Sequence, residues 1–369
     1  MTRTLFAEAA AEVPFHRYLD DDGTLVGEPP DRAADPQALT AAYRTMVLVR
    51  QFDQKAIALQ RTGQLGTYPS SLGQEVIGAI IGQCLAPDDV FAPYYRDTAT
   101  QIQRGVSLTN LLQVWGGDER GNAAGNRDFP AAVPVATQVL HAAGAAAAMR
   151  LRDETRVTLT TCGDGATSKA DFLEALNLAA VWHLPLVFVI NNNQWAISVP
   201  RAGQAATRTL AEKALGAGVP ACQVDGNDAV ALREVLAAAV AEARDGGGPR
   251  LVEAVTYRLA DHTTADDATR YRDEAELHAA WEREPVKRLR GFLHGRGHWS
   301  ADDEQALTAE CREEVDAAVQ AYTELASQEP AALFDHLYAR LPASLERQRE
   351  ALQAKAARHA QQAAEGGQA

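Results

Sequence analysis

Two polar clusters follow consecutive apolar runs in the middle of the chain, and their residue types and spacing could support chemistry. The Gly-Asp-Gly sequence at 163–165 comes after the run 157–161, and Asn193 comes shortly after the run 186–190. Glycines let an anionic ligand approach backbone N–H groups, and the N-terminus of a following helix favours negative charge. Carboxylate and amide oxygens are ligands that Mg²⁺ accepts. The pattern predicts a diphosphate site with Asp164 and Asn193 on a magnesium ion.

The Gly-Asp-Gly sequence by itself is also typical of a tight strand-to-helix turn that binds nothing. The polar cluster after the next strand favours a ligand site, because α/β sheets bind ligands beyond the carboxyl ends of their strands. A dinucleotide-binding fingerprint would need a third glycine where Ser168 stands, and no G-x-x-x-x-G-K-[ST] sequence occurs. A nicotinamide site, as in a dinucleotide-binding reductase, and an ATP site are therefore disfavoured.

The elements that would position these clusters alternate between strand and helix. Apolar runs bounded by polar residues predict the strands, and longer segments with helical periodicity lie between them. This alternation predicts an α/β fold with a doubly wound, mostly parallel sheet and a helical C-terminal part. The predicted strands are 90–95, 157–161, 186–190, 219–224 and 251–257, and the predicted helices are 36–62, 136–151, 170–182 and 229–243.

Three parts of the chain differ in composition. Residues 1–34 are rich in Pro, Gly and Asp, which predicts an extended N-terminal arm outside the core. Residues 35–325 carry the strand and helix pattern and form the predicted α/β domain, and residues 326–369 are predicted to be a helical segment and tail. Asp35 as the cap and Pro36 at the first position mark the start of the domain's first helix.

Charge and hydropathy argue against several classes of partner. The net charge of −14 and the pI near 5.1 disfavour binding to a phosphate backbone, so we expect no nucleic-acid partner. The apolar runs are far shorter than the roughly 20 residues that cross a bilayer, and the N-terminus has no signal-peptide pattern. We therefore expect a cytoplasmic protein without a membrane partner. The four cysteines are scattered and are expected to be reduced.

The two clusters belong to longer motifs that resemble a known family. Residues 163–168 (Gly-Asp-Gly-Ala-Thr-Ser) and 192–198 (Asn-Asn-Gln-Trp-Ala-Ile-Ser) resemble the thiamine diphosphate motif of E1 α subunits of 2-oxo acid dehydrogenase complexes. The similarity extends from about residue 39 to residue 322. It implies three protein ligands for Mg²⁺, namely Asp164, Asn193 and the carbonyl of Trp195, and further cofactor contacts from Gly163, Gly165 and Ala166.

Two upstream segments match the same family. Residues 94–97 (Tyr-Tyr-Arg-Asp) resemble its diphosphate-binding pair, which implies hydrogen bonds from Tyr95 and Arg96. Arginine suits this role because its guanidinium offers a charged fork of N–H groups to phosphate. Val133 and Val135 lie in a segment that resembles the surround of the aminopyrimidine and thiazolium rings, the first acting through its backbone and the second through its side chain. Without the resemblance, the arginine would equally suit a surface position and the valines an ordinary core.

Residues 257–272 resemble the active-site loop of the family. A histidine on a loop is usually solvated, but the match implies that His262 is the catalytic histidine, which contacts the cofactor and takes part in transfer to the lipoyl group. Asp261 stands where some branched-chain members have a second histidine. Thr263 replaces the serine that eukaryotic members phosphorylate, which argues against kinase control by that route.

The resemblance implies only half of an active site. The glutamate that faces the pyrimidine in this family belongs to a separate domain that the chain does not show. We therefore expect a β subunit in an α2β2 heterotetramer, with the lipoyl domain of an E2 component as acceptor and a 2-oxo acid as substrate. Residues 266–272 and 281–299 resemble bacterial pyruvate enzymes most closely, which favours pyruvate dehydrogenase over a branched-chain 2-oxo acid dehydrogenase. A noncatalytic E1-like scaffold is the alternative outside enzymes.

Overall fold

The computed structural model describes residues 12–123, 127–326, 328–335 and 337–366. The chain separates into two compact units, one up to Tyr322 and one from Thr323 onwards. Residues 1–11, which are part of the predicted N-terminal arm, lie outside the described residues. The sheet that positions the candidate site belongs to the first unit.

The described residues form a six-stranded sheet and a two-stranded hairpin. The strands are β1 (Phe15–His16), β2 (Val90–Ala92), β3 (Thr158–Gly163), β4 (Leu186–Asn192), β5 (Trp195–Ala196), β6 (Val199–Pro200), β7 (Ala221–Asp225) and β8 (Arg250–Val255). The sheet has the order β1-β7-β8-β4-β3-β2, and each neighbouring pair in it is parallel. This confirms the predicted mostly parallel α/β fold. Strands β5 and β6 make the antiparallel hairpin.

Helices occupy the connections between the strands and most of the C-terminal part. Asp35 caps the first helix by accepting the Gln37 N–H at 3.1 Å, and Pro36 takes the first position, as predicted. The helices are α1 (Pro36–Arg61), α2 (Glu75–Cys84), α3 (Thr98–Gln103), α4 (Leu108–Trp115), α5 (Thr137–Leu151), α6 (Ala170–Val181), α7 (Glu212–Gly216), α8 (Ala229–Arg244), α9 (Glu274–Glu282), α10 (Pro285–Gly295), α11 (Ala301–Thr323) and α12 (Ala343–Gly366).

Alternate residues of β4 pack into two different hydrophobic clusters. Val187 and Val189 join residues of α1, α2 and α8 in one cluster, whereas Leu186, Phe188 and Ile190 join residues of α5 and α6 in the other. A strand that is buried on both faces needs apolar side chains at successive positions, which explains the continuous apolar run of β4. The helices therefore cover both faces, and the sheet is doubly wound.

The register of β3 and β4 determines which residues reach the edge of the sheet. Gly163 lies opposite Asn191, so the two strands end at nearly the same level. A short 3-10 helix at Asp164–Ser168 follows β3, and the β5–β6 hairpin follows β4. The residues after both strands therefore share the carboxyl edge of the sheet, where α/β folds bind their ligands.

Part of the N-terminal arm belongs to the core, so the prediction that residues 1–34 lie outside the core is wrong there. β1 pairs with β7, and Leu19 is fully buried. Asp228 accepts the backbone N–H groups of Tyr18 and Leu19 at 2.6 and 2.7 Å, and Arg288 donates to the Leu19 carbonyl. These partners are more than 200 residues away in the sequence, so the local composition gives no sign of them.

The predicted strand 90–95 is shorter in the structure. β2 ends at Ala92, because Pro93 has no N–H with which to continue the ladder. The next three residues, Tyr94, Tyr95 and Arg96, lie in the loop that precedes α3. This loop carries them to the carboxyl edge, beside the ends of β3 and β4.

The second unit is described by itself as a 3-10 helix at Pro330–Phe334 followed by α12. Arg349 pairs with Asp335 at 2.9 Å within this unit. Across the parts of the chain that the structure describes, the long helices carry too many polar side chains to span a lipid bilayer.

Replacing Leu19 by alanine should lower the free energy of unfolding of the first unit by about 2–4 kcal/mol, since truncating a buried leucine leaves a cavity. Urea denaturation followed by circular dichroism measures the difference. Val26→Ala is the control, because Val26 is 61% exposed and should change the free energy by less than about 0.5 kcal/mol. Equal small losses in both variants would contradict a core position for Leu19.

Candidate functional site

Residues that follow β3 and β4 line a cavity of about 200 Å³ at the carboxyl edge of the sheet. Asp164 and Asn193 both contribute to its wall. The predicted site residues that line this cavity are Tyr95, Arg96, Val135, Gly163, Asp164, Gly165, Ala166, Asn193, Trp195 and His262. Val133 is the exception, because its side chain is 62% exposed and does not line the cavity. The fold thus brings together predicted site residues that are up to 167 positions apart in the sequence, from Tyr95 to His262.

Asp164 is a buried carboxylate that forms no salt bridge with any described residue. It is 2% exposed, and its Oδ2 accepts a hydrogen bond from Gln204 Nε2 at 3.0 Å. Burial raises the pKa of Asp164 to about 6. Since a buried carboxylate is costly unless positive charge compensates it, this position is suited to a cation.

A second glutamine orients Asn193. Asn193 Nδ2 donates to Gln74 Oε1 at 3.2 Å, and Asn193 Oδ1 accepts the Trp195 N–H at 3.3 Å. The hydrogen-bond partners decide which end of the amide is oxygen, and here they place Oδ1 on the side of the Trp195 backbone. Gln74 therefore constrains Asn193 as Gln204 constrains Asp164.

The turn after β4 has an unusual backbone. Gln194 and Ile197 have φ values of 74° and 54°, a region that β-branched residues in particular rarely adopt. Asn192 Oδ1 accepts from both the backbone and the side chain of Gln194. Arg258 donates to the carbonyls of Trp195 and Ile197 at 3.2 and 2.8 Å. The surrounding structure thus holds the backbone at Trp195 in one conformation.

The two glycines of the Gly-Asp-Gly sequence have different surroundings. A Cβ on Gly165 would lie 2.6 Å from the Cβ of Ala196, so only glycine permits this close packing against β5. A Cβ on Gly163 would meet nothing within 4 Å, although Gly163 lines the cavity. The open space at Gly163 leaves its backbone accessible to a ligand.

Arg96 and His262 form a hydrogen-bonded pair in the cavity wall. Arg96 Nη1 donates to the Ser70 carbonyl at 2.6 Å, while Nη2 donates to the His262 carbonyl at 2.6 Å and to His262 Nδ1 at 2.9 Å. Because arginine can only donate, Nδ1 is the acceptor and the imidazole proton lies on Nε2. Burial, with Arg96 and Arg258 nearby, lowers the pKa of His262 to about 3. His262 is therefore neutral near pH 7 and can donate from Nε2.

The loop that carries His262 is held from several sides. The His262 N–H donates to Asp266 Oδ2 at 2.8 Å, and the Tyr271 hydroxyl donates to the same oxygen. Arg258 Nη2 donates to the Tyr271 hydroxyl at 2.7 Å, which links the loop to the turn after β4. Asp261 accepts a backbone N–H of the same loop at 2.9 Å and does not line the cavity.

Sequence reasoning missed three residues that shape the site, namely Gln74, Gln204 and Arg258. Gln204 reaches Asp164 from 40 positions away, and Gln74 reaches Asn193 from 119 positions away, so nothing in the local sequence indicates either hydrogen bond. Arg258 is fully buried, which is rare for arginine. Two signals were available for it: its place after β8, at the same edge of the sheet, and its place in the segment 257–272 that resembles the family's active-site loop.

Comparison with known proteins identifies one family over most of the chain. Residues 43–331 match the family model described as dehydrogenase E1 component. The 3-methyl-2-oxobutanoate dehydrogenase subunit alpha of Mycobacterium tuberculosis is 40% identical over 344 residues, which cover 91% of this chain and 93% of that protein. The pyruvate dehydrogenase E1 component subunits alpha of Acholeplasma laidlawii and Staphylococcus aureus are each 36% identical. Their alignments cover 90% of this chain and 97% and 91% of those proteins, respectively.

Acidification should destabilise the fold through His262. The unfolded imidazole binds a proton near its usual pKa of 6.5, whereas the folded one does so only near pH 3, so stability falls as the pH drops through this window. Between about pH 7.5 and 5.5 His262 should lower the free energy of unfolding by about 1 kcal/mol. This part of the pH dependence should be missing in His262→Gln. Urea denaturation at both pH values measures the difference, with His278→Gln at an exposed histidine as the control. An unchanged pH dependence in His262→Gln would contradict a neutral His262.

Proposed function

The chain belongs to the dehydrogenase E1 component family, and we propose that it is the α subunit of a 2-oxo acid dehydrogenase that binds thiamine diphosphate through Mg²⁺. One observation carries the proposal: a carboxylate without a positive partner and an arginine without a negative partner line the same cavity. Within the described chain, neither Asp164 nor Arg96 forms a salt bridge. A metal ion beside a diphosphate would compensate both charges.

The oxygen atoms at the end of β4 and after β3 fit magnesium. Asp164 would provide a carboxylate oxygen, Asn193 an amide oxygen and Trp195 its carbonyl, and Mg²⁺ prefers such hard donors together with phosphate oxygens and water. Arg258 occupies one lone pair of the Trp195 carbonyl, and the other lone pair remains. Gln204 and Gln74 would hold the two side-chain ligands in place.

The groups beside these ligands fit a diphosphate. Of the five N–H groups on the Arg96 guanidinium, three bind Ser70 and His262, so two remain for phosphate oxygens. Tyr95 lines the cavity with its ring centre 5.2 Å from the guanidinium carbon. We propose that the backbone at Gly163, Gly165 and Ala166 completes the anion site, as the open space at Gly163 favours.

We propose that a β subunit completes the site in an α2β2 heterotetramer. Val135 and Ile197 line the cavity, yet about half of each side chain is exposed. Apolar side chains at the rim of a cavity fit a surface that another chain covers. The backbone of Val133, close to this rim in sequence, stays a predicted cofactor contact. The lipoyl domain of an E2 component would accept the acyl group, and the cytoplasmic location remains a prediction from the sequence.

Thiamine diphosphate, when bound, supplies the carbanion chemistry that releases carbon dioxide from a 2-oxo acid. The residues of this chain would bind and orient it and control protons nearby. We propose His262 as the catalytic residue of this subunit. Since its Nδ1 accepts from Arg96, its Nε2–H is available to donate to an oxygen of the substrate or cofactor. His262 would therefore act as a neutral hydrogen-bond donor rather than as an imidazolium acid.

For the substrate we propose pyruvate, with a branched-chain 2-oxo acid as the second candidate. The resemblance of residues 266–272 and 281–299 to bacterial pyruvate enzymes supports pyruvate. The 40% identity to the mycobacterial relative, named for 3-methyl-2-oxobutanoate, supports the branched-chain acid. One methylene in an apolar pocket changes binding by only ~1–3 kcal/mol, so a broad preference is compatible with both.

Reduction of an artificial electron acceptor tests both the function and the substrate. Activity should require the chain, its β partner, Mg²⁺ and thiamine diphosphate together, and the chain alone should stay at background because it provides half of the site. A higher kcat/KM for pyruvate than for 3-methyl-2-oxobutanoate is expected, and the reverse order would select the second candidate. Full activity without the β partner would contradict the shared site. Cofactor binding without turnover of any 2-oxo acid would favour the noncatalytic scaffold.

Removing the side chain that orients Asp164 should weaken the metal site. Gln204→Leu should raise the Mg²⁺ concentration needed for half-maximal thermal stabilisation by about 10–100-fold at saturating thiamine diphosphate, because partners of metal ligands typically have effects of this size. Asp164→Ala should abolish the stabilisation. Gln54→Leu, at an exposed glutamine on α1, is the control. If Gln204→Leu needed the same Mg²⁺ concentration as the wild type for half-maximal stabilisation, a role of Gln204 in orienting the metal ligand Asp164 would be contradicted.

A further inference from the structure

A buried carboxylate outside the cavity holds a segment that supports the cavity wall. Asp53 on α1 is 2% exposed and has no salt-bridge partner in the described residues. Its Oδ1 accepts from the Tyr68 hydroxyl at 2.5 Å, and its Oδ2 accepts from the Ser70 hydroxyl and the Ser71 N–H, both at 2.7 Å. One side chain of a long helix thus fixes three positions of a segment that is neither helix nor strand.

Burying the Asp53 carboxylate costs free energy that an apolar side chain at the same position would not cost. Burial raises the pKa of Asp53, and the hydrogen bonds from Tyr68, Ser70 and Ser71 oppose this effect. An apolar side chain could pack α1 against the segment without desolvating a charge. It could not fix the direction of the backbone at Ser70 and Ser71, because only an acceptor can bind the hydroxyl and N–H donors there.

Arg96 rests on the segment that Asp53 holds. The Ser70 carbonyl accepts from Arg96 Nη1 at 2.6 Å. Since Asp53 binds the Ser70 hydroxyl and the N–H of the next residue, the peptide group between them has a fixed orientation. Arg96 then reaches His262 through its other terminal nitrogen. The position of the pair in the cavity wall therefore depends on Asp53.

The loop with His262 is anchored to this segment at Tyr68 and to Leu72, the residue that follows it. The Tyr68 N–H donates to Thr264 Oγ1, and the Tyr68 carbonyl accepts the Thr264 N–H, both at 3.0 Å. The carbonyl of Leu72 accepts the Leu259 N–H at 3.2 Å. The Leu72 N–H donates to Ser70 Oγ at 3.1 Å, which ties Leu72 to the segment. The two anchors lie on either side of the histidine, so the loop is fixed before and after it.

We propose that Asp53 is a positioning residue, which holds residues 68–71 so that Arg96 and His262 are preorganised in the cavity wall. The role of this pair toward a cofactor rests on the proposed function. The anchoring itself is a property of the chain without any ligand, and it can be measured separately. No local sequence pattern distinguishes Asp53 from the other polar residues of α1, because its partners are 15 to 18 positions away on a different segment.

Hydrogen exchange of the full chain, read by mass spectrometry, tests the anchoring. Asp53→Asn keeps the shape but places an NH₂ group against donors, so peptides containing the Leu259 and Thr264 amides should exchange at least about tenfold faster. Thiamine diphosphate with Mg²⁺ should bind about tenfold more weakly to the complex of the variant with its β partner. Asp89→Asn is the matched control, because Asp89 is fully buried and pairs with Arg244. It should lower global stability without selectively accelerating these two amides.

Wild-type exchange in Asp53→Asn, or the same acceleration in Asp89→Asn, would overturn the proposal. If Asp53→Asn does not fold, Tyr68→Phe removes one donor and keeps the ring against Phe52 and Trp115. In Tyr68→Phe the Leu259 and Thr264 amides should also exchange faster, but by a smaller factor. Unchanged exchange of these amides in Tyr68→Phe would overturn the proposal as well. Failure of the wild-type complex to bind thiamine diphosphate would refute the proposed function instead, and the exchange comparison would still decide the role of Asp53.

Discussion

The parallel pairing of β3 with β4 is the constraint on which the candidate site depends. Gly163 lies opposite Asn191, so the carboxylate of Asp164 and the amide of Asn193 follow two strands that end side by side. Hydrophobic clusters pack against both faces of β4, and a change of register would displace its side chains from both. The core that stabilises the sheet therefore also sets the separation of the two polar groups.

The cavity combines opposite charges that the described residues do not neutralise. Asp164 has a glutamine as its side-chain partner, and Arg96 has two carbonyls and a neutral imidazole. A protein that only needed stability would pair or remove such groups. Unpaired buried charges and a strained backbone, such as the positive φ of Ile197 in the turn after β4, cluster at functional sites. The arrangement suits a ligand that brings a cation and an anion together.

The sequence predicts those parts of the site that follow strand ends, and misses those that depend on tertiary contacts. Alternation of strand and helix placed Asp164 and Asn193 at one edge from the residues alone, whereas His262 was identified only by resemblance to a family. Gln204 and Asp53 could not be found, because hydrogen bonds across 40 and 15 to 18 positions depend on how loops fold back. The parallel sheet is predictable because the apolar periodicity of each strand is a local pattern. Burial of the N-terminal arm is not predictable in this way, because it depends on partners that are distant in the sequence.

The central claim is that Asp164 and Asn193 hold a metal ion bound to the diphosphate of thiamine diphosphate. Electron–nuclear double resonance of the complex with the β partner, with Mn²⁺ in place of Mg²⁺, measures this most directly. Couplings from the phosphorus nuclei to the bound Mn²⁺ are expected in the wild type, and they should be lost in Asp164→Ala. Mn²⁺ without phosphorus coupling in the wild type, or unchanged coupling in the variant, would contradict the claim.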